Sequence, residues 1–181
     1  MSIERTARPG TVASSLAQRE QELRRDIAEA SVGAHAPLEV YRRALARVTP
    51  MVNASFSSVF LRDPEDPELL RLVCAINWPQ ASARHLGRLR IRVGLGPTGR
   101  AVAEGTAIEA TDVFSDSTLQ DWWEPARELG FTSLVALPLH GPGERIGAVS
   151  FYYAHAHTFT DDERALLWLI ADRLSVGAEP A

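Results

Sequence analysis

The stretch that most constrains the fold of this chain runs from Thr132 to Ala154, "TSLVALPLHGPGERIGAVSFYYA". Two apolar runs, Thr132 to His140 and Arg145 to Ala154, are rich in branched and aromatic residues and are separated by Gly141-Pro-Gly-Glu. Glycine and proline in such a connection set the turn dihedrals directly, so the pair reads as two antiparallel strands of a hairpin. A second pair of short apolar runs, "ASFSSVFLRD" (Ala54 to Asp63) and "ELLRLVCAIN" (Glu68 to Asn77), meets at the proline-rich turn "DPEDP". Two hairpins leave too few strands over for a doubly wound parallel sheet.

Helices bracket these strands. Leu38, Tyr41, Leu45 and Val48 fall on one face of "LEVYRRALARVTPMV", broad enough to cover a sheet. Thr160-Asp-Asp-Glu163 is a capping box, in which the Thr and Glu side chains each satisfy an orphan backbone N–H, and it opens a final helix through "RALLWLIADRLSV". Between the hairpins come a strand from Arg88 to Val93, a short helix from Pro97 to Glu104, a brief strand from Ala107 to Asp112, a loop from Val113, and a helix starting at Trp123 or Pro125 and ending at Leu129 before Gly130. The expected fold is α+β: a central antiparallel sheet of five to six strands, terminal helices on one face, loops and short helices on the other.

Residues 1–13 read as a flexible N-terminus, 14–34 as a separate helix, and 35–178 as a single domain. The helix carries a thin apolar stripe of Leu16, Leu23, Ile27 and Ala30 among charges of both signs. So narrow a stripe suits either the edge of a bundle shared with a second copy or a mostly solvated extension; on the first reading Leu16, Leu23, Ile27, Leu167 and Leu174 are the expected homodimer contacts.

Gly94-Leu-Gly96-Pro-Thr-Gly99 spells G-x-G-x-x-G, the turn that cradles a pyrophosphate at a helix N-terminus. The helix after it is only about two turns long, because Gly105 stops it, and a dinucleotide-binding unit needs a long crossover helix and a parallel return strand. These glycines are expected to turn the chain from strand to helix, with Pro97 in the first turn.

The net charge of −4, with no cluster of basic residues, argues against nucleic-acid binding. Cys74 is the single cysteine, which excludes an intrachain disulfide and a multi-cysteine metal site. The N-terminus has no apolar core of a signal peptide, and no apolar run approaches the roughly eighteen residues of a membrane span. A cytoplasmic protein without membrane contact is expected.

In "GLGPTGRAVAEGTAIEATDV", "LGFTSLVALPLHGPGERIGAVSFYY" and "FTDDERALLWLIADRLSVG" the chain resembles the GAF domain family, over about Leu38 to Gly177. The resemblance implies a regulatory module of the kind found in bacterial sensor proteins, with a small-molecule pocket between sheet and loops and a signal passed through terminal helices. No room is left after Ala181 for an output domain, so the output is expected in an unidentified partner protein. The branches of the family make separate demands. Cyclic-nucleotide binders carry an Asn-Lys signature ahead of Phe and Asp-Glu; Phe159 and Asp162-Glu163 are present, but the chain has no lysine. Bilin photoreceptors need a thioether cysteine, whereas Cys74 lies mid-strand. Methionine sulfoxide reduction needs cysteines that attack and resolve. A lone His85 in the pocket segment is the candidate haem ligand, and His155 with His157 a candidate chelating pair. Haem, covalent bilin, cyclic nucleotide and a metal are not expected, and the ligand is unknown.

On the resemblance, the pocket walls hold Trp78, Trp122 and Trp123, with Phe114, His85, Arg100, Asp112, Asp121 and Ser133 as ligand contacts and Arg100 suited to an anion. The bland alternatives are that the indoles fill the cavity themselves and that Asp112 caps its own loop. The expectation is a stand-alone small-molecule sensor signalling through dimer helices, and not an enzyme. A ligand-free dimerisation or docking module is the alternative, and a redox enzyme using Cys74 the third reading.

Overall fold

The computed structural model describes residues 9–32, 37–80 and 88–176. In chain order the elements are α1 (Pro9–Ser31), α2 (Pro37–Met51), β1 (Phe56–Arg62), β2 (Leu69–Ile76), β3 (Arg90–Arg92), α3 (Gly96–Glu104), β4 (Ile108–Ala110), a 3-10 turn (Ser117–Trp122), α4 (Trp123–Leu129), β5 (Ser133–Gly141), β6 (Glu144–Tyr153) and α5 (Asp161–Val176). The strands form one sheet in the order β3-β2-β1-β6-β5-β4, with every neighbouring pair antiparallel. Both sequence-legible hairpins are present, and β1 of the first lies beside β6 of the second. This is the α+β architecture expected.

Strand alternation splits the interior into two layers. Val59, Val135, Leu137, Val149 and Phe151 face α1, α2 and α5 in one core. Phe56, Phe60, Leu134, Ala148 and Tyr152 face α3 and the loops in a second. At the centre of the sheet β1 and β6 come so close that a Cβ on Gly147 would lie 2.0 Å from the Phe60 carbonyl oxygen.

The N-terminal helix corrects the expectation of its contacts. It runs from Pro9, and the described part of its stripe belongs to this chain's own core. Leu23 is 0% and Ile27 5% exposed, packed with Tyr41, Ala44, Leu45 and Leu174. A thin stripe suffices because α2 and α5 together offer it a groove, and Ala30, Ala44 and Ala171 let the backbones approach. Leu167 and Leu174, at 1% exposure each, are likewise used internally. Leu23, Ile27, Leu167 and Leu174 therefore point into the monomer and are not available to a second copy. The Leu16 side chain lies outside the described residues.

The capping box forms as read. The Thr160 N–H donates to Glu163 Oε2 at 2.7 Å and the Glu163 N–H to Thr160 Oγ1 at 3.2 Å. His157 Nε2 lies 3.0 Å from Glu163 Oε1, and its ring stacks on Tyr153 at 4.7 Å. Because β6 ends at Tyr153, His155 and His157 do not share a strand face, and His155 is exposed. Among the described residues no group of three or more His, Cys, Asp or Glu gathers as a metal site.

Partial burial would raise the Glu163 carboxyl, but the Thr160 N–H, the His157 ring and the Thr160 hydroxyl outweigh it and hold the carboxyl below its usual value of 4.5. A depressed folded-state pKa contributes stability that is present above the unfolded value and lost as pH falls through the folded one. Glu163→Gln keeps an oxygen for Thr160 but removes the charge at the start of α5. The variant is expected to be less stable at pH 7 by a few tenths to about 1 kcal/mol. The difference should close as pH falls from the usual carboxylate value through the lower folded-state one, read from urea midpoints of both proteins across pH.

Candidate ligand pocket

The loop-side core holds a closed pocket between the sheet, α3 and the 3-10 turn. Its floor comes from strand positions facing this layer, Phe60, Ile91, Leu134 and Tyr152; Thr98 and Pro97 of α3 form one wall, and Trp78, Trp122, Leu129 and Phe131 close the rest. The free space is about 30 Å³. That is room for about one water, because the rings themselves occupy the volume. Phe56 stacks on Tyr152 with centroids 4.7 Å apart, and Trp78 and Phe131 meet Tyr152 edge-on at 5.8 and 5.1 Å.

Under these rings lies a buried set of hydroxyls. Ser58 and Ser150 are directly opposed across β1 and β6. Ser58 Oγ lies 3.1 Å from Tyr152 Oη, and Thr98 Oγ1 lies 3.0 Å from Ser150 Oγ. Ser58, Ser150 and Thr98 are 0%, 0% and 3% exposed. Burial raises the Tyr152 phenol, against the pull of its contacts to Ser58, Ser150 and Thr98. Hydroxyls both donate and accept by rotating, so the set can reorganise around a polar atom placed beside it.

The glycine motif receives its explanation here. Gly94 and Gly96 hold φ of +86° and +60°, and the Gly94 N–H donates to the Gly99 carbonyl at 2.9 Å. A Cβ on Gly99 would lie 2.3 Å from the Arg92 carbonyl oxygen, so glycine lets α3 sit tight on β3. A Cβ on Gly96 would lie 2.4 Å from the Trp122 ring. The indole thus covers the start of α3, where a dinucleotide would have needed its phosphates.

The sequence-selected residues are divided by this geometry. Trp78 and Trp122 line the pocket; the Trp78 indole N–H also donates to the Ser57 carbonyl at 3.0 Å. Trp123 turns away, donating to the Val113 carbonyl at 2.6 Å. Phe114 packs at the edge of the same core with the Arg127 guanidinium 5.2 Å above its ring. Arg100 is exposed and bonds Glu104 one turn along α3 at 2.8 Å, because its helix position faces solvent. Asp112 accepts from the Phe114 N–H and the Ser115 hydroxyl, both at 2.9 Å, and so caps its loop. Asp121 is exposed. Ser133 is buried on the helix side, donating to the His155 carbonyl at 2.8 Å, since it alternates with the pocket-facing Leu134. His85 lies outside the described residues.

Ser58, Thr98, Ser150 and Tyr152 were missed as site residues. Their signal in the strands is a hydroxyl among otherwise apolar positions of one face, Ser58 between Phe56 and Phe60 and Ser150 two residues before Tyr152, whereas Thr98 comes from α3. Cys74 packs in the helix-side core, across the sheet from the pocket, and burial pushes its thiol up to about 11 against a weaker opposite pull from Arg42. A wider cleft of about 270 Å³ between the middle of α1, the end of α2 and the start of α5 includes Arg19, Asn53, Asp162 and Glu163. Tyr41 Oη, the buried side-chain oxygen without a partner among the described residues, is not in its walls.

The chain belongs to the GAF domain family, whose model matches residues 34–177. Solved structures share its fold at low identity. The GAF domain of a phosphoenolpyruvate-protein phosphotransferase from Coxiella burnetii is 19% identical, with 89% of this chain and 93% of that one covered at a TM-score of 0.74. The corresponding domain from Acinetobacter is 10% identical, with 91% and 92% covered and a TM-score of 0.71. Free methionine-R-sulfoxide reductase from Neisseria meningitidis, solved with its substrate, is 18% identical, with 98% and 95% covered and a TM-score of 0.66. No curated protein matches the chain significantly. The reductases correct one expectation: enzymes occur on this fold, so the reading of the chain as a non-enzyme does not stand. Among the described residues no helix is long and apolar enough to cross a membrane.

Proposed function

We propose that this chain is a regulatory GAF domain that binds a small organic molecule in the pocket over Tyr152. The observation that carries the reading is the buried hydroxyl set of Ser58, Thr98, Ser150 and Tyr152 beneath an aromatic pocket. A domain that needed only a packed core would more simply have apolar side chains here, since buried polar groups cost free energy unless fully paired. Signalling then runs through the sheet. β1 and β6 carry Ser58, Ser150 and Tyr152 on one face and pack against the α1-α2-α5 layer on the other, so a ligand that shifts these strands shifts the helices. A partner protein, or a second copy, reads that movement from the outer helix surface.

The small free volume supports a second reading, a ligand-free docking module whose rings have filled the cavity. Native mass spectrometry of gently purified protein, with an absorption spectrum of the same sample, separates the two. The sensor reading expects added mass that leaves as a small molecule on activation. A clean polypeptide mass without absorption beyond the aromatic band, under conditions that keep other weak complexes intact, would favour the docking module.

A further inference from the structure

We infer that the ligand of this pocket is an uncharged, largely apolar ring compound with one hydrogen-bonding group, admitted by displacement of the Trp122 indole; this rests on the pocket reading above. The walls decide the charge. Every described lining residue is uncharged, and the side-chain polar atoms among them are the hydroxyls of Thr98 and Tyr152 and the indole N–H groups of Trp78 and Trp122. Two of the nearby described charges are turned elsewhere: Arg100 to Glu104, and Arg127 over the outer rings of Phe114 and Trp123. A phosphate, carboxylate or zwitterion entering here would lose its hydration without meeting an opposite charge among the described lining residues, and such burial is strongly unfavourable. A neutral ring loses little hydration and gains the stacking surfaces of Phe131 and Trp78. Its polar atom would meet Thr98 and Tyr152, whose hydroxyls can rotate to donate or accept.

The volume decides the route. About 30 Å³ is too small for any ring, so a wall must yield. Trp78 is tied to β1 through its bond to the Ser57 carbonyl, whereas Trp122 is half-buried at the junction of the 3-10 turn and α4. One residue of that turn, Leu119 at φ −103°, ψ 16°, lies off regular helical geometry, three positions before Trp122. The Trp122 ring rests on Gly96, where no side chain opposes its sliding out. A neutral ring of similar size would take its place against the floor.

The test uses one ring in two charge states, indole and indole-3-carboxylate, titrated by calorimetry into the wild-type chain, Trp122→Ala and Tyr152→Phe. Indole is expected to bind the wild type, to bind Trp122→Ala at least ten-fold more tightly because the cover no longer competes, and to bind Tyr152→Phe several-fold more weakly. The carboxylate is expected to bind at least ten-fold more weakly than indole to each. Equal or tighter binding of the carboxylate overturns the neutral-ligand inference while leaving the pocket reading in place. Indole binding confined to Trp122→Ala shows that the indole cover does not yield and overturns the route. An unchanged affinity in Tyr152→Phe puts the probe elsewhere and overturns the assignment. Binding of neither compound to any of the proteins overturns the pocket reading itself. If Trp122→Ala does not fold, Trp122→Phe carries the same comparison with a smaller opening.

Discussion

Gly147→Val is expected to abolish folding of the domain, leaving a chain without a cooperative urea transition or near-ultraviolet circular dichroism. Gly147 sits in β6 opposite Leu61 of β1, at the junction of the two hairpins. A Cβ there would stand 2.0 Å from the Phe60 carbonyl oxygen and 2.9 Å from the Leu61 Cα. Both are backbone atoms of a central strand, so no side-chain rotation relieves the overlap. Separation of β1 and β6 would part the two halves of the sheet and open both cores at once. The loss should exceed about 4 kcal/mol, comparable with the whole stability of a small domain. Gly143→Asn is the control. Gly143 has a φ of +78° and a Cβ added to it would meet nothing within 4 Å, and asparagine tolerates that backbone region, so a change within about 1 kcal/mol is expected. A Gly147→Val protein that kept the wild-type midpoint would mean that β1 and β6 do not pair this closely.

What was legible in the sequence was local. Turn chemistry at Gly141 to Glu144, the proline-rich turn after Asp63 and the capping box at Thr160 each specify a structure within a few residues, and the matching elements are in place. Adjacent strand residues such as Phe151 and Tyr152 fall on opposite faces, in the two separate cores. Less was legible where a residue's role depends on a distant partner. Gly96 and Trp122 explain each other, yet nothing in either local stretch announces the contact. Arg100 reads equally well as an anion ligand or as the partner of Glu104, and the helix phase of α3 selects the latter. The hydroxyls of the pocket floor come from β1, α3 and β6, so each looked like an ordinary small polar residue in its own segment. Ser133 misled for the related reason that a one-residue step along a strand exchanges the faces of a sheet.

Removal of residues 1–32 bears on the point where the reading of the sequence and the structure diverge most. Had Leu23 and Ile27 held two copies together, truncation would leave a stable monomer. They instead fill the groove between α2 and α5, fully or nearly fully buried. Each such aliphatic side chain contributes roughly 1.5–3 kcal/mol by burial, so with Ala30 and the bared surfaces of Tyr41, Leu45 and Leu174 the truncation should cost about 5 kcal/mol or more. Leu23→Ala alone should cost about 2–5 kcal/mol, since it leaves a cavity as well as losing transfer free energy. The expected result by urea denaturation and light scattering is a large fall in midpoint with self-association, because an exposed apolar groove seeks another surface. The family match begins at residue 34, after α1. A truncated chain that stayed monomeric with an unchanged midpoint would make α1 an appendage to a self-sufficient domain. A destabilised, associating one would make it the third member of the helical layer that covers this face of the sheet.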